Sequence, residues 1–302
     1  MKDLKLNLFL IHNEGTFAKL TKQRLQDFFY IHTFTIKKNY SLKLLKSEIY
    51  NQVKKYKLNL ILYISGETKA DRFMKKLNFD LPCFIADICE KKNIPLVYLS
   101  SLSVYGIPKR KSVDVLTEKV PFNNYGKTKS AFDQVLKTNL KELRFCSIAP
   151  GTIINPYSRK DNLLKNSLKK LSSRPLIWLL RIASPSGNYA CIHIDDLISA
   201  LVQECINITS KNNNQVYKLF KNCSNKISIY NLVTYISGSK PIFKVDFIPI
   251  QLINAIAIFL PKKLIMKLIV YFIDIEYISE YSSIKKRDIS EYFSLKENLT
   301  NF

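Results

Sequence analysis

The stretch from Val97 to Lys129 constrains this chain more than any other. It begins inside an apolar run, Ile94 to Leu99, that reads as a buried parallel strand. The run breaks at Ser100 and Ser101, which places two hydroxyls at the strand's carboxyl end, the edge at which open α/β sheets bind ligands. After a Lys-rich excursion, N-N-Y-G-K-T-K from Asn123 to Lys129 opens a helix on which Tyr125 and Lys129, four residues apart, share one face. A hydroxyl, a phenol and an ammonium are thereby expected to converge.

Such a set suits proton transfer at a carbon bearing oxygen. A phenol titrates near pH ~10, too high for an efficient base at neutral pH, and an adjacent ammonium favours the phenolate. Lys129 is expected to supply that charge. Tyr125 would take a proton from a substrate hydroxyl or return one to a carbonyl oxygen, with Ser101 bonded to the same oxygen. Tyr-x-x-x-Lys by itself is weak, since it occurs six times in this chain, at Tyr50, Tyr105, Tyr125, Tyr217, Tyr281 and Tyr292. Only the Tyr125 copy follows a strand ending in hydroxyls and carries a glycine, Gly126, where a helix must pack closely.

At these residues the sequence resembles the extended short-chain dehydrogenase/reductase family, the sugar-nucleotide epimerases, dehydratases and reductases. S-S-L-S-V-Y-G resembles its serine segment, and Y-G-K-T-K its tyrosine-lysine motif. The resemblance implies Ser101, Tyr125 and Lys129 as catalytic residues, with Ser101 and Tyr125 also on the substrate. It implies an α/β fold: a Rossmann-type doubly wound parallel sheet over residues 1–156, rejoined by 189–206, and a smaller C-terminal substrate domain over 157–302. The carboxylate pair that dehydration needs beside the serine is replaced here by Leu102 and Ser103, so dehydratase is the least favoured subtype.

The cofactor turn departs from the family. H-N-E-G-T-F-A stands where Gly-x-x-Gly-x-x-Gly is usual, so Gly15 is kept, Ala18 replaces the third glycine, and His12 the first. Glycines serve there because the backbone turns tightly against a pyrophosphate at a helix N-terminus. A histidine would be strained if its position required positive φ. The implied cofactor contacts are Gly15, Thr16, Phe17, Lys37, Ser65, Gly66, Tyr125, Lys129 and Pro150. Lys37-Lys38 after the second strand, with no acid nearby, tips NAD versus NADP toward NADP. Asn78 resembles the family's helix asparagine. Ala149 and Ile154-Asn155 depart from its Arg and Tyr-Gly positions, which leaves the substrate class open.

Composition narrows the rest. Of 302 residues 47% are hydrophobic, enough for a full core. The formal charge of +23 rests on lysines scattered along the chain, which argues for a solvated surface over a specific nucleic-acid groove and still favours an anionic nucleotide sugar. Six cysteines without a C-x-x-C pair read as reduced thiols, and three scattered histidines give no metal cluster. Met1 to Leu10 lacks the form of a secretory signal, so the expected location is cytoplasmic. Phe247–Leu260 and Leu264–Ile273 are apolar but short of a span. They read as core helices, with a weak membrane-surface contact and a homodimer left open.

The strand and helix pattern reads, in order, as strand Leu4–Ile11, helix Thr16–Phe28, strand Tyr30–Ile36, helix Leu42–Lys57, strand Leu58–Ile64, a helix through Asn78 to Lys92, a helix to Asn139 and strand Leu143–Ile148. Asp195 and Asp196 read as caps of the following helix. The expected activity is NAD(P)-dependent oxidation, reduction or epimerisation of a nucleotide-diphosphate sugar. The alternative is a weakened or non-catalytic Rossmann-fold binding or assembly protein with a degenerate cofactor turn.

Overall fold

The computed structural model describes residues 5–37, 39–68, 70–106, 108, 111–157, 182–185, 187–210, 217–245, 275–282, 284–285, 287 and 289–293. Lys38, residues 158–181 and both apolar C-terminal segments lie outside these residues. The strands are β1 (Leu6–His12), β2 (Phe29–Thr35), β3 (Leu60–Tyr63), β4 (Leu96–Leu99), β5 (Ser112–Val113), β6 (Phe145–Pro150), β7 (Thr152–Ile154), β8 (Ala183–Pro185), β9 (Asn188–His193), β10 (Lys218–Cys223), β11 (Asn225–Ser228), β12 (Phe243–Val245) and β13 (Glu276–Tyr277).

The chain forms two compact units. The first comprises Met1–Gly106, Lys119–Pro150 and Leu197–Lys221, and the second Ile107–Glu118, Gly151–Asp196 and Asn222–Phe302. In the first, a six-stranded sheet has the order β10-β6-β4-β3-β1-β2. β1 pairs in parallel with both β2 and β3, β3 with β4, and β4 with β6. Every residue of β3 and β4 is buried, as a strand covered on both faces requires. This is the Rossmann-like doubly wound arrangement. Because β2 leaves β1 on one side and β3 on the other, the order reverses between β1 and β3, and the crevice beyond their carboxyl ends is where such sheets take ligands.

The helices α1 (Thr16–Leu25), α2 (Leu42–Lys55), α3 (Asp71–Lys75), α4 (Leu81–Lys91) and α5 (Asn124–Thr138) belong to this unit. α2 starts where Ser41 Oγ accepts the Leu44 N–H at 3.1 Å, and buries Leu45, Ile49 and Val53, spaced four apart on one face. Burying such a side chain stabilises by about 2 kcal/mol. α5 is capped in the same way by Asn123, whose Oδ1 accepts the Gly126 N–H at 2.7 Å, and it sinks Phe132 and Leu136 into the core. Instead of one helix through Asn78, α3 and α4 are joined by a π-helical turn, Lys76–Asp80. Pro82 is tolerated because it lies in the first turn of α4.

The second unit carries a three-stranded sheet of order β11-β9-β7, antiparallel between β11 and β9 and parallel between β7 and β9. Ile154, Cys191, Ile227, Leu232 and Tyr292 form its apolar cluster. Asp195 and Asp196 are not caps: they lie in the first turn of the helix Ile194–Ser210. Asp196 takes a bidentate pair from Arg287 at 2.9 and 2.8 Å, and Asp195 accepts the Tyr157 hydroxyl at 2.7 Å. Among the described residues no helix is long and apolar enough to cross a membrane, and the six cysteines form no disulfide.

Candidate active site

Ser101 lies two residues beyond β4, in extended backbone, and its Oγ accepts the Ser103 N–H at 3.2 Å, capping the 3-10 turn Leu102–Val104. α5 packs on this turn, closely enough that a Cβ at Gly126 would overlap the Ser103 carbonyl oxygen. That approach brings the half-buried Tyr125 phenol beside Ser101, whose Oγ donates to Ser103 Oγ at 3.2 Å. Lys129, 2% exposed, donates to the Leu99 carbonyl at 2.7 Å and lies 4.5 Å from the centroid of the Tyr98 ring. Tyr125 thus lies beside Ser101, and Lys129 on the Leu99 carbonyl, near the carboxyl end of β4.

Their electrostatics differ from the expectation. Burial raises the Tyr125 phenol above its ordinary value, with the Ser101 hydrogen bond opposing the shift, so the protein does not hold a phenolate. Burial pushes the Lys129 ammonium down to about 7, and the nearby Asp133 carboxylate works against that fall. Spacing alone shows a lysine one turn from a tyrosine; it does not show that the amine is buried and bound to a backbone carbonyl.

At the switch point His12 is the last residue of β1, and the only non-glycine with positive φ among the described residues is Asn93, so the expected histidine strain is absent. Gly15 carries the unusual backbone instead, with φ 147° and ψ 169°. No side chain caps α1, whose first residues Thr16 and Phe17 are half-buried, and open space surrounds the place a Gly15 Cβ would take. An uncapped helix N-terminus behind an unobstructed glycine is a fitting cradle for a pyrophosphate. The His12 ring turns along the sheet edge, with Nδ1 2.9 Å from the Asn13 carbonyl and Nε2 3.4 Å from Thr35 Oγ1.

Asn13 itself ties β1 to β3. It accepts the Ser65 hydroxyl at 2.7 Å and donates to the Gly66 carbonyl at 2.7 Å. A Cβ on Gly66 would stand 3.2 Å from Asn78 Oδ1 and 3.4 Å from Lys129 Nζ, so this glycine opens toward the lysine. Pro150 is buried at the end of β6. Lys37 is exposed beyond β2, 5.7 Å from the centroid of the Tyr40 ring.

Asn78 is fully buried within the π-turn and is no surface residue. It bonds both backbone groups of Glu67, accepting the N–H at 3.0 Å and donating to the carbonyl at 2.9 Å, and reaches Thr128 Oγ1 on α5 at 3.2 Å. π-turns concentrate at functional sites, and this one aims an amide between the loop after β3 and the tyrosine helix. Asn78→Ala would strand two buried backbone groups. The expected loss is about 3 kcal/mol of unfolding free energy, read from a shift of the urea midpoint. An unshifted midpoint would contradict this assignment. Sequence reading missed Asn13 and Asp133; a buried acid four residues after Lys129 is visible as spacing, whereas the Asn13–Ser65 contact joins residues far apart in the chain.

Residues 61–219 match the NAD dependent epimerase/dehydratase family, and the chain belongs to that family. Among its relatives is the ADP-L-glycero-D-manno-heptose-6-epimerase of Alkalilimnicola ehrlichii, 37% identical over 84 residues, a match covering 26% of this chain and 25% of that one. In fold it is similar to dTDP-4-dehydrorhamnose reductase from Bacillus anthracis in complex with NADP, with 17% identity, 80% of this chain and 84% of that chain covered, and a TM-score of 0.59. It is also similar to the Bordetella bronchiseptica enzyme WbmG in complex with NAD, with 12% identity, 82% and 83% covered, and a TM-score of 0.59.

Proposed function

We propose that this protein is an NAD(P)-dependent oxidoreductase or epimerase acting on a sugar carbon of a nucleotide-diphosphate sugar through Ser101, Tyr125 and Lys129. The observation that carries the reading is the meeting of the Ser101 hydroxyl and Tyr125 phenol at the end of β4, with the Lys129 amine buried beside them. Family membership, a fold shared with NADP- and NAD-bound sugar-nucleotide enzymes, and the open turn at Gly15 support it.

Gly15, Thr16 and Phe17 would hold the dinucleotide's pyrophosphate, Ser65, Gly66 and Pro150 would border it, and Lys129 with Tyr125 would meet its nicotinamide ribose. Lys37, with no acid at the end of β2, favours NADP. When bound, such a cofactor would supply a hydride acceptor or donor for the sugar carbon. Tyr125 Oη moves the accompanying proton to or from the substrate oxygen, and Ser101 Oγ holds that oxygen by a hydrogen bond. A charged Lys129 lowers the cost of forming the phenolate. The surplus of cations suits a diphosphate substrate.

Fluorescence titration with NADPH and NADH tests the reading. Both bind, NADPH more tightly. Gly15→Val, which forces a β-branched residue into backbone reserved for glycine, raises Kd by about tenfold or more. A second reading, a non-catalytic binding or assembly protein, draws on His12 in the cofactor turn and on the raised phenol. Absence of binding at millimolar cofactor would favour it over the enzyme.

A further inference from the structure

α5 touches the end of β4 at three consecutive residues. Tyr125 meets Ser101, Lys129 meets the Leu99 carbonyl, and between them the Ser100 hydroxyl donates to Asp133 Oδ2 at 3.0 Å. Tyr125, Lys129 and Asp133 are spaced four apart and so form one stripe of the helix. Asp133 is 2% exposed. Its other oxygen accepts the Ser147 hydroxyl of β6 at 2.8 Å, and Lys119 Nζ donates to Oδ2 at 2.6 Å. Lys119 in turn stands 4.4 Å from the centroid of the Phe220 ring. A carboxylate sunk this deep and given three donors is built as an anion, and it is the acid that acts on Lys129.

We infer that Asp133 is a positioning residue of this site: it fastens α5 to β6 and to the end of β4 and sets a negative charge beside the buried Lys129 ammonium. The inference rests on the Ser-Tyr-Lys reading for its consequence and on geometry for its substance. Facing Lys129 are Tyr98, Asp133 and the Leu99 carbonyl; facing Asp133 are Lys119, Ser100, Ser147 and Tyr98. Lys129 is already depressed to about 7 by burial. Asp133 opposes that depression, so its removal moves the amine further down, and the lysine becomes neutral at neutral pH. A neutral Lys129 no longer favours the Tyr125 phenolate, and kcat/KM at neutral pH then falls.

The test follows lysine 13Cε chemical shifts with pH in the protein without cofactor or substrate. Exposed lysines hold their protons to about pH 10, so one resonance titrating near neutrality, absent from Lys129→Met, is Lys129. Asp133→Asn lowers its midpoint by about one pH unit or more, and Asp133→Glu, which keeps the charge, restores it. Lys119→Met removes the cation that shares the carboxylate and moves the midpoint upward, which serves if Asp133→Asn fails to fold. An unmoved midpoint in Asp133→Asn, or an unmoved or lowered one in Lys119→Met, overturns the inference. The titration needs no ligand, so its failure removes the role of Asp133 alone, whereas failed NADPH binding removes the enzymatic reading and leaves this electrostatic link standing.

Discussion

Tyr125→Phe loses turnover by about 10³-fold on any nucleotide-diphosphate sugar the native protein converts, while its affinity for NADPH and its urea midpoint stay close to native. The expectation follows from what the change removes. Phenylalanine keeps the ring that fills the half-buried position on α5 and deletes only the oxygen that contacts Ser101. If Tyr125 only filled space, Tyr125→Phe would leave both stability and turnover near native. If it transfers the proton, turnover alone falls. Because burial raises the phenol in the protein alone, activity is also expected to increase with pH until Lys129 discharges at about 7. Turnover in Tyr125→Phe equal to native removes the proposed mechanism.

Gly126→Ala is the second large effect, and it acts on structure first. A methyl at this position would overlap the Ser103 carbonyl oxygen, which is backbone held by the 3-10 turn and cannot swing aside as a side chain could. α5 must therefore retreat from the end of β4 or the turn must unwind. Overpacking of this kind costs about 3 kcal/mol. The helix that retreats is the one carrying Tyr125 and Lys129, so turnover falls in the surviving folded fraction as well. Denaturant unfolding with an assay on the same samples separates the two losses. A variant of native stability and native turnover would show that the close approach of helix and turn is unimportant.

The elements that could be read from the chain are those whose signal is local. The apolar runs of β3 and β4, the capped start of α5 and the spacing of Tyr125 and Lys129 need no knowledge of distant residues. The limits of β6 were harder to read. The pattern points to Leu143–Ile148, whereas the strand runs Phe145–Pro150 because its register is set by β4, with Leu96 opposite Phe145 and Leu99 opposite Ile148. The π-turn at Asn78 escaped for a related reason: its amide is satisfied by Glu67 and Thr128, and only the folded chain brings them near. The charge of Lys129 is not a purely local matter. Its neighbour in sequence is a phenol, but its state is decided by burial, the Leu99 carbonyl and Asp133. His12 looked strained on paper, and it rests unstrained as a strand residue because Gly15 takes the positive φ.

A crystal of the native protein soaked with NADPH tests the central claim most directly. The account predicts density across the carboxyl ends of β1, β3 and β4, with the pyrophosphate at the N-terminus of α1 and the nicotinamide ribose against Lys129 and Tyr125. Density confined to another face, or none at millimolar NADPH with the Lys129 ammonium still on the Leu99 carbonyl, would contradict it.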